Sequence, residues 1–126
     1  MRFWLFTAAV NGLCAVAVGA ATAHAAMPLP APRLALVETG QRYEIYHALA
    51  LFGVAWLASA RPGALSHAAG AAFLLGTILF SGGLYLIGFA QVTAVLPLVP
   101  VGGSAFLAGW LLVGVSALRP WPARRG

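Results

Sequence analysis

Residues 62–118 read PGALSHAAGAAFLLGTILFSGGLYLIGFAQVTAVLPLVPVGGSAFLAGWLLVGVSAL, and this stretch contains no Asp, Glu, Lys or Arg. A helical crossing of a lipid bilayer needs about 20 apolar residues, so the stretch is long enough for two crossings and a hairpin. A water-facing helix would carry polar residues on one face, whereas residues 71–89 are interrupted only by glycine, Ser, Thr and Tyr. The stretch predicts two membrane-spanning helices, at residues 68–89 and 103–118.

Two more apolar runs lie upstream of this stretch. Residues 3–25 contain no Asp, Glu, Lys or Arg, and residues 43–60 contain a single carboxylate, Glu44. The Pro-rich segment between them cannot continue a helix, so we expect residues 27–42 to form an outer loop that holds an interfacial amphipathic helix or turn. The predicted fold is all-α, an integral membrane four-helix bundle in which residues 1–126 form a single domain.

The composition excludes several classes of protein. Apolar residues make up 62% of the chain and charged residues 7%, with a mean hydropathy of +0.93, which excludes a water-soluble globule. Seven Arg and two Glu give a net charge of +5, but the arginines form no stripe able to follow a phosphate backbone. We therefore expect the lipid bilayer as a partner, and no nucleic acid.

The arginines also predict the orientation of the helices. Short loops on the cytoplasmic side of a membrane protein are enriched in Lys and Arg. Four spans would place five arginines on one side and two on the other, which puts both termini in the cytoplasm. The five are Arg2, Arg61, Arg119, Arg124 and Arg125, and the two are Arg33 and Arg42.

A cleaved signal peptide is the alternative interpretation of residues 1–25. Arg2, the apolar run after it and the sequence Ala23-His24-Ala25 match the parts of a secretory signal with an A-x-A cleavage site. The apolar run is longer than such signals usually have, and it contains Asn11 and Gly12. Cleavage would leave three spans.

Polar side chains at the ends of the predicted spans form the candidate site. With both termini inside, the end of span one and the start of span two lie together near the outer interface. Tyr85 of span three, and Ser104 of span four, are expected at a similar depth. The predicted polar cluster consists of His24, Tyr43, Glu44, His47 and Tyr85.

The cluster allows several kinds of chemistry. Glu44 and His47 are three residues apart on one helix face. Together with His24 they could bind a metal ion through oxygen and nitrogen atoms, or they could bind and release protons. The simpler interpretation is structural, with Glu44 paired to Arg42 or His24 and the tyrosines hydrogen-bonded between helices. One Glu-x-x-His motif is weak evidence, so we predict no metal, no cofactor and no catalytic residue.

Small and polar residues inside the spans are expected to hold the helices together. Glycine lets helix backbones approach closely where lipid gives no hydrophobic driving force, and polar side chains hydrogen-bond across helices. Asn11 and Thr77 lie at similar depths, which predicts a hydrogen bond between spans one and three. The small faces also suit a homo-oligomer or another membrane protein as partner. The predicted packing residues are Asn11, Gly19, Thr77, Gly83 and Gly109.

Four stretches in order resemble a known family. Residues 38–50 read ETGQRYEIYHALA, and they follow GAATAHA at residues 19–25 and precede LFSGGLYL at residues 79–86 and a Pro-Val-Gly-Gly to Gly-Trp segment at residues 100–110. Together they resemble domain of unknown function 423, or the transmembrane-protein-256-like family. The resemblance covers nearly the whole chain and implies that the first span stays in the membrane. It implies no activity.

The residues and the resemblance together predict an integral membrane protein of unknown role. We expect a non-enzymatic protein with a structural or assembly function in the inner membrane. A small carrier or proton-linked channel that uses the polar cluster is the alternative, although no acidic residue is expected near the middle of a span.

Overall fold

A computed structural model describes residues 1–24 and 28–120 of the 126-residue chain, and every regular element in them is helical. The four helices are α1 (Arg2–Ala23), α2 (Ala31–Ala60), α3 (Ala64–Ala90) and α4 (Leu98–Leu118). Within α3, a π-helical turn at Thr77–Ser81 joins Ala64–Gly76 to Gly82–Ala90. A short 3₁₀ turn, Thr93–Val95, lies between α3 and α4. The all-α prediction is confirmed.

Three of the helices are long and apolar enough to cross a membrane, namely α1, α3 and α4. They correspond to the predicted spans one, three and four. The second predicted span lies within α2, the longest helix, which is not in this group because its charged and polar residues lower its hydropathy.

Two helices begin earlier than the spans predicted within them. Helix α2 begins at Ala31, whereas the predicted span begins at Tyr43, so most of the segment expected to hold an interfacial helix or turn is three turns of α2 itself. Pro32 does not prevent this, because the first turn of a helix needs no intrahelical N–H donor. Pro100 is accommodated in the same way in the first turn of α4, which begins at Leu98 rather than at residue 103.

Some predicted features lie outside the described residues. The first predicted span and the A-x-A sequence both end at Ala25, and the predicted loop begins at Met27. These two residues and the two C-terminal arginines, Arg124 and Arg125, are not described.

The helices pack in pairs around α2 and α3. Helix α1 lies along α2, α4 lies along α3, and the two pairs meet where α2 contacts α3. The largest side chains in the shared core are Trp4 from α1, Phe73 from α3 and Phe106 from α4. The Trp4 Nε1 donates a hydrogen bond of 2.9 Å to the His67 Nδ1, which joins the start of α1 to the start of α3.

Glycines allow α3 and α4 to approach closely. A Cβ at Gly102 would overlap the backbone nitrogen of Phe80, and one at Gly109 would overlap the ring of Phe73. Gly83 lies on the other side of the same contact, where a Cβ would be 3.0 Å from the Val99 side chain. This contact depends on the absence of side chains at these positions, because a backbone has no rotamer that could move aside.

The other packing glycine, Gly19, lies on α1 against α2. A Cβ at this position would be 3.3 Å from the Gln41 side-chain nitrogen. Because Gly19 is near the end of α1 and Gln41 is in the first half of α2, the two helices run antiparallel.

Arginines at the two ends of α2 bind the ends of its neighbours. Arg33 donates through Nε to the Gly88 carbonyl at 2.7 Å and through Nη2 to the Phe89 carbonyl at 2.9 Å, at the end of α3. Arg61 donates in the same way to carbonyls at the end of α4. The last carbonyls of a helix have no intrahelical donor, so both guanidinium groups satisfy acceptors that would otherwise lack partners. The acceptors of Arg61 are Ser116, Arg119 and Pro120.

Replacing Gly102 with alanine should destabilise the fold. The new Cβ overlaps backbone that cannot rotate away, and overpacking costs about 1–3 kcal/mol. Gly103→Ala is the matched control, because a Cβ there would be 3.8 Å from the Phe80 ring, an ordinary contact. The free energy of unfolding, measured in mixed detergent micelles, should fall for Gly102→Ala and not for Gly103→Ala. Equal values for the two variants would contradict the close approach.

Candidate functional site

The carboxyl group of Glu44 lies inside the protein, hydrogen-bonded to Tyr85. Glu44 is 5% exposed, and the Tyr85 hydroxyl donates to its Oε2 at 2.6 Å. The bond joins α2 to α3. Gly40, one turn before Glu44, makes room for the Tyr85 ring, since a Cβ at this position would be 3.0 Å from the ring. The predicted pairing of Glu44 with Arg42 or His24 is replaced by this bond to a neutral hydroxyl.

His47 is buried on the same helix and makes two hydrogen bonds of its own. Its Nδ1 is 2.7 Å from the Tyr43 carbonyl, and the Trp110 Nε1 of α4 donates to its Nε2 at 3.2 Å. A carbonyl only accepts and an indole N–H only donates. The network therefore assigns a neutral ring with the proton on Nδ1 and an unprotonated Nε2 that accepts from Trp110.

Aromatic rings surround this imidazole. The ring of Phe106 stacks on it with centroids 3.5 Å apart and planes 7° from parallel, and Phe73 lies at 5.4 Å. The Tyr43 ring packs on Phe80 at 4.8 Å between centroids and is itself partly exposed. His47 is thus a neutral, fully partnered ring that links α2 to both α3 and α4.

The position of these groups along α2 differs from the prediction. Because α2 begins at Ala31, Glu44 and His47 lie near its middle rather than at its start. His47 stacks on Phe106 near the middle of α4, whereas Glu44 binds Tyr85, which lies in the last third of α3. The buried polar groups of α2 therefore contact α3 and α4 between the middle and one end of those helices.

His24 does not join them. It follows the last residue of α1 and is exposed. Because Gly19 lies against Gln41 on the antiparallel α2, His24 and Glu44 are offset in opposite directions from this contact, about 12 Å apart along the helix axes. In the part of the chain that the structure describes, no group of three or more His, Cys, Asp or Glu side chains is placed to hold a metal ion.

Asn11 and Thr77 are both buried, but the hydrogen bond predicted between them is wrong. The Asn11 Nδ2 donates to the Thr7 carbonyl at 2.8 Å, and the Thr77 Oγ1 donates to the Phe73 carbonyl at 3.0 Å, each within its own helix. Each side chain thus uses its donor on the preceding turn, which is always within reach of a helical Thr or Asn.

A groove of about 570 Å³ connects Asn11, Thr77 and Glu44. Helix α1 contributes Asn11, α2 contributes Glu44, and α3 contributes the remaining wall. Most of that wall is apolar, and this size is typical of small-molecule sites. The α3 residues of the groove are Thr77, Ile78, Gly82, Tyr85, Leu86, Phe89 and Ala90.

The π-helical turn of α3 forms part of this wall. Thr77–Ser81 has the wider hydrogen-bond pattern that often occurs in helices near functional sites. Ser81 is fully buried, and its hydroxyl has no hydrogen-bond partner among the described residues. The turn brings the Ser81 carbonyl close to Gly40, where a Cβ would be 3.2 Å from it.

The sequence did not identify several partners in this region. Trp110 and Phe106 are spaced like ordinary apolar residues of a span, and nothing in their spacing indicates a histidine partner. The sequence places Arg33 in the predicted loop, whereas the structure shows that α2 begins before it, at Ala31. The one available signal was the resemblance, because its motifs include both the Glu44 and the Trp110 segments.

The tautomer of His47 can be measured directly. In ¹⁵N-histidine-labelled protein, we expect His47 to show a protonated Nδ1 and an unprotonated Nε2, because Tyr43 and Trp110 fix the ring. The exposed His24 is the internal comparison. Trp110→Phe removes the Nε2 donor and should shift that signal alone. A proton on Nε2 of the unaltered protein would contradict the assigned network.

Comparison with known proteins gives the family. The model for the family described as "Protein of unknown function (DUF423)" matches residues 18–103, more than half of the chain. A UPF0382 membrane protein of Bacillus subtilis, YwdK, is 37% identical over 121 residues, covering 94% of this chain and 98% of its own. No solved structure matches the chain.

Two further relatives agree. The UPF0382 inner membrane protein YgdD of Escherichia coli K12 is 37% identical over 119 residues, covering 94% of this chain and 91% of its own. A UPF0382 membrane protein of Haemophilus influenzae is 32% identical over 117 residues, covering 92% and 94%. With three helices apolar enough to cross a bilayer, the chain is a multi-pass protein of the inner (plasma) membrane. It belongs to the DUF423 family, as the resemblance of its motifs predicted.

Proposed function

We propose that all four helices cross the inner membrane as a bundle, with both termini in the cytoplasm, and that the protein is non-enzymatic. The arginine count supports the orientation. Packing supports the four crossings, because the Trp4–His67 bond joins the start of α1 to the start of α3, and Arg61 joins the end of α2 to the end of α4. Alternate helix ends then lie on the same side, as four crossings require.

Exposed apolar side chains along α2 support its crossing. Leu49, Phe52 and Trp56 lie on the outer surface of its second half, and Leu49 is 62% exposed. Water would make such a surface costly, whereas hydrocarbon would not. Two of the polar residues that lower its hydropathy, Glu44 and His47, are instead turned inward.

The non-enzymatic character is supported by how the reactive groups are used. Glu44 and His47 bind separate partners, Tyr85 and Trp110, and do not activate each other. Cys14 is exposed on α1. Among residues 1–24 and 28–120, the hydrogen bonds of the structure join no Ser or Cys to a histidine, which is the pairing that a nucleophile needs.

We further propose a structural role in which the protein assembles with other copies of itself through α4. The observation that carries this is Gly114, which has open space where its side chain would be, on the most exposed face of the chain. Gly109 is the other glycine of this half of α4, and the ring of Phe73 occupies the space where its side chain would be. A lipid-facing notch between large apolar residues suits a second helix. The notch is formed by Leu107, Trp110, Leu111, Gly114, Val115 and Leu118.

Filling the notch should weaken self-association. In lipid vesicles, Gly114→Leu should raise the dissociation constant about tenfold, which corresponds to about 1.4 kcal/mol, measured by energy transfer between labelled copies. Gly12→Leu on α1 is the control, because Gly12 also faces open space but lies on another helix. A chain that stays monomeric at every protein-to-lipid ratio, or equal weakening by both variants, would contradict this role.

A small carrier or proton-linked channel is the second candidate, and the position of Glu44 favours it. Intramembrane carboxyl groups are costly and usually functional, and this one lies near the middle of α2 and lines a groove. Glu44 thus gives the carrier role an acidic residue away from the ends of its helix.

The carrier role can be tested with the two glutamates of the chain. In proteoliposomes with an imposed pH gradient, we expect proton flux that Glu44→Gln abolishes and Glu38→Gln leaves unchanged, because Glu38 is exposed near the start of α2. Flux equal to that of protein-free vesicles, or loss of flux in both variants, would contradict the role.

A further inference from the structure

The groove of Asn11, Glu44 and Thr77 has an unusual hydrogen-bonding character. Its one strong donor, the Tyr85 hydroxyl, is already bound to the Glu44 Oε2. The Asn11 amide and the Thr77 hydroxyl donate to their own helices. Apart from the second amide hydrogen of Asn11, the groups that remain are acceptors, so the groove offers mainly oxygen atoms to a ligand.

The carboxyl group supplies the strongest of these acceptors. Among the described residues, the Glu44 Oε1 has no hydrogen-bond partner, and no arginine or histidine nitrogen forms an ion pair with the side chain. Glu44 is 5% exposed and is one of the residues that line the groove. Asn11 and Thr77 line the same groove, and their side-chain oxygens can accept as well.

The rest of the groove is hydrocarbon. Ile78, Leu86 and Phe89 of α3 form most of its wall, and α1 bounds the other side. The groove runs from Asn11 and Thr77, near the middle of α1 and α3, to Ala90 at the end of α3, and residues of α1, α2 and α3 line it. A ligand must therefore combine an apolar body with a compact group rich in polar hydrogens.

We propose that this groove binds a lipophilic ammonium ion, an alkyl chain that ends in a protonated primary amine. The ammonium group has three N–H donors and no acceptor, which matches the Glu44 Oε1 and the oxygens of Asn11 and Thr77. Its positive charge complements a carboxylate that has no cationic partner in the described part of the chain. The alkyl chain lies along Ile78, Leu86 and Phe89.

The inference deepens the carrier role by naming its substrate class, and it is tested by binding alone. A protein that binds the ammonium ion but shows no flux keeps the site and loses the carrier role. A protein with flux and no binding loses the site.

The experiment uses the full-length protein in phosphatidylcholine bilayers, which contain no primary amine. A hydrophobic carbodiimide, which adds covalently to carboxyl groups in apolar surroundings, is expected to label Glu44, as peptide mass spectrometry would show. Glu44→Gln should remove the adduct and Glu38→Gln should keep it, because Glu38 is exposed. Failure to label Glu44 would overturn an open groove.

Dodecylammonium is the probe, and dodecanol, which has the same chain without the charge, is its control. At a free concentration about ten times its dissociation constant, dodecylammonium should slow the labelling of Glu44 about tenfold, whereas dodecanol should have little effect. Equal protection by both compounds would show a groove that accepts any amphiphile, and protection by neither would show none; both results overturn the proposal.

A variant that fills the groove without touching the carboxyl group gives a second test. A Cβ at Gly82 meets only the Thr77 carbonyl at 3.8 Å, so Gly82→Leu is tolerated and extends into the groove. Gly53→Leu is the control, since Gly53 faces open space in a different groove, between α2 and α4. Dodecylammonium should no longer protect Glu44 in Gly82→Leu and should still protect it in Gly53→Leu. Unchanged protection in Gly82→Leu would place the ligand elsewhere.

Discussion

The buried hydrogen-bonding groups of α2 must find partners inside an apolar protein, and the packing of the other helices depends on this constraint. A polar group without a partner costs several kcal/mol in hydrocarbon. Helix α2 carries more polar side chains than any other helix, and it meets the constraint at its two ends and in its middle. Arg33 binds the end of α3, Arg61 binds the end of α4, and in the middle Glu44 and His47 bind Tyr85 and Trp110. These bonds fix α3 and α4 against α2 in register.

The same constraint explains why the middle of the protein is both rigid and receptive. His47 uses both ring nitrogens and stacks on Phe106, so that side of α2 is fully satisfied. On the side toward α1, Glu44 uses one oxygen on Tyr85 and lines a groove with the other. The close contact of α3 with α4 holds the first side shut, whereas α1 contacts α2 and leaves the groove open toward α3.

The sequence predicted the features that depend on residues close together in the chain. The lengths of the apolar runs predicted the helical fold, and the glycine positions indicated close helix contacts such as the one at Gly109. Pro32 was expected in the first turn of an interfacial helix or turn that leads into the second span, and α2 does begin at Ala31. The sequence did not predict that this segment and the second span form one continuous helix, because the charged residues between them suggested a loop.

Partner choice could not be predicted from the sequence. Tyr85, Trp110 and Asn11 each lie on an apolar helix, and their partners depend on helix rotation and offset, which periodicity in a nearly uniform apolar run does not encode. Asn11 and Thr77 illustrate this, since both are buried as expected but bond within their own helices.

The central claim is that α2 crosses the bilayer and that the part of the helix around Glu44 and His47 is surrounded by lipid and not by water. Electron paramagnetic resonance of a spin label at Tyr46→Cys, an exposed site two residues from Glu44, tests it most directly in a Cys14→Ser background. A label at Gly63→Cys, in the exposed turn after α2, is the reference. The account predicts frequent collisions with oxygen and rare ones with a water-soluble nickel complex at position 46, and the reverse at position 63. A label at position 46 that meets the nickel complex as often as the one at position 63 would contradict it.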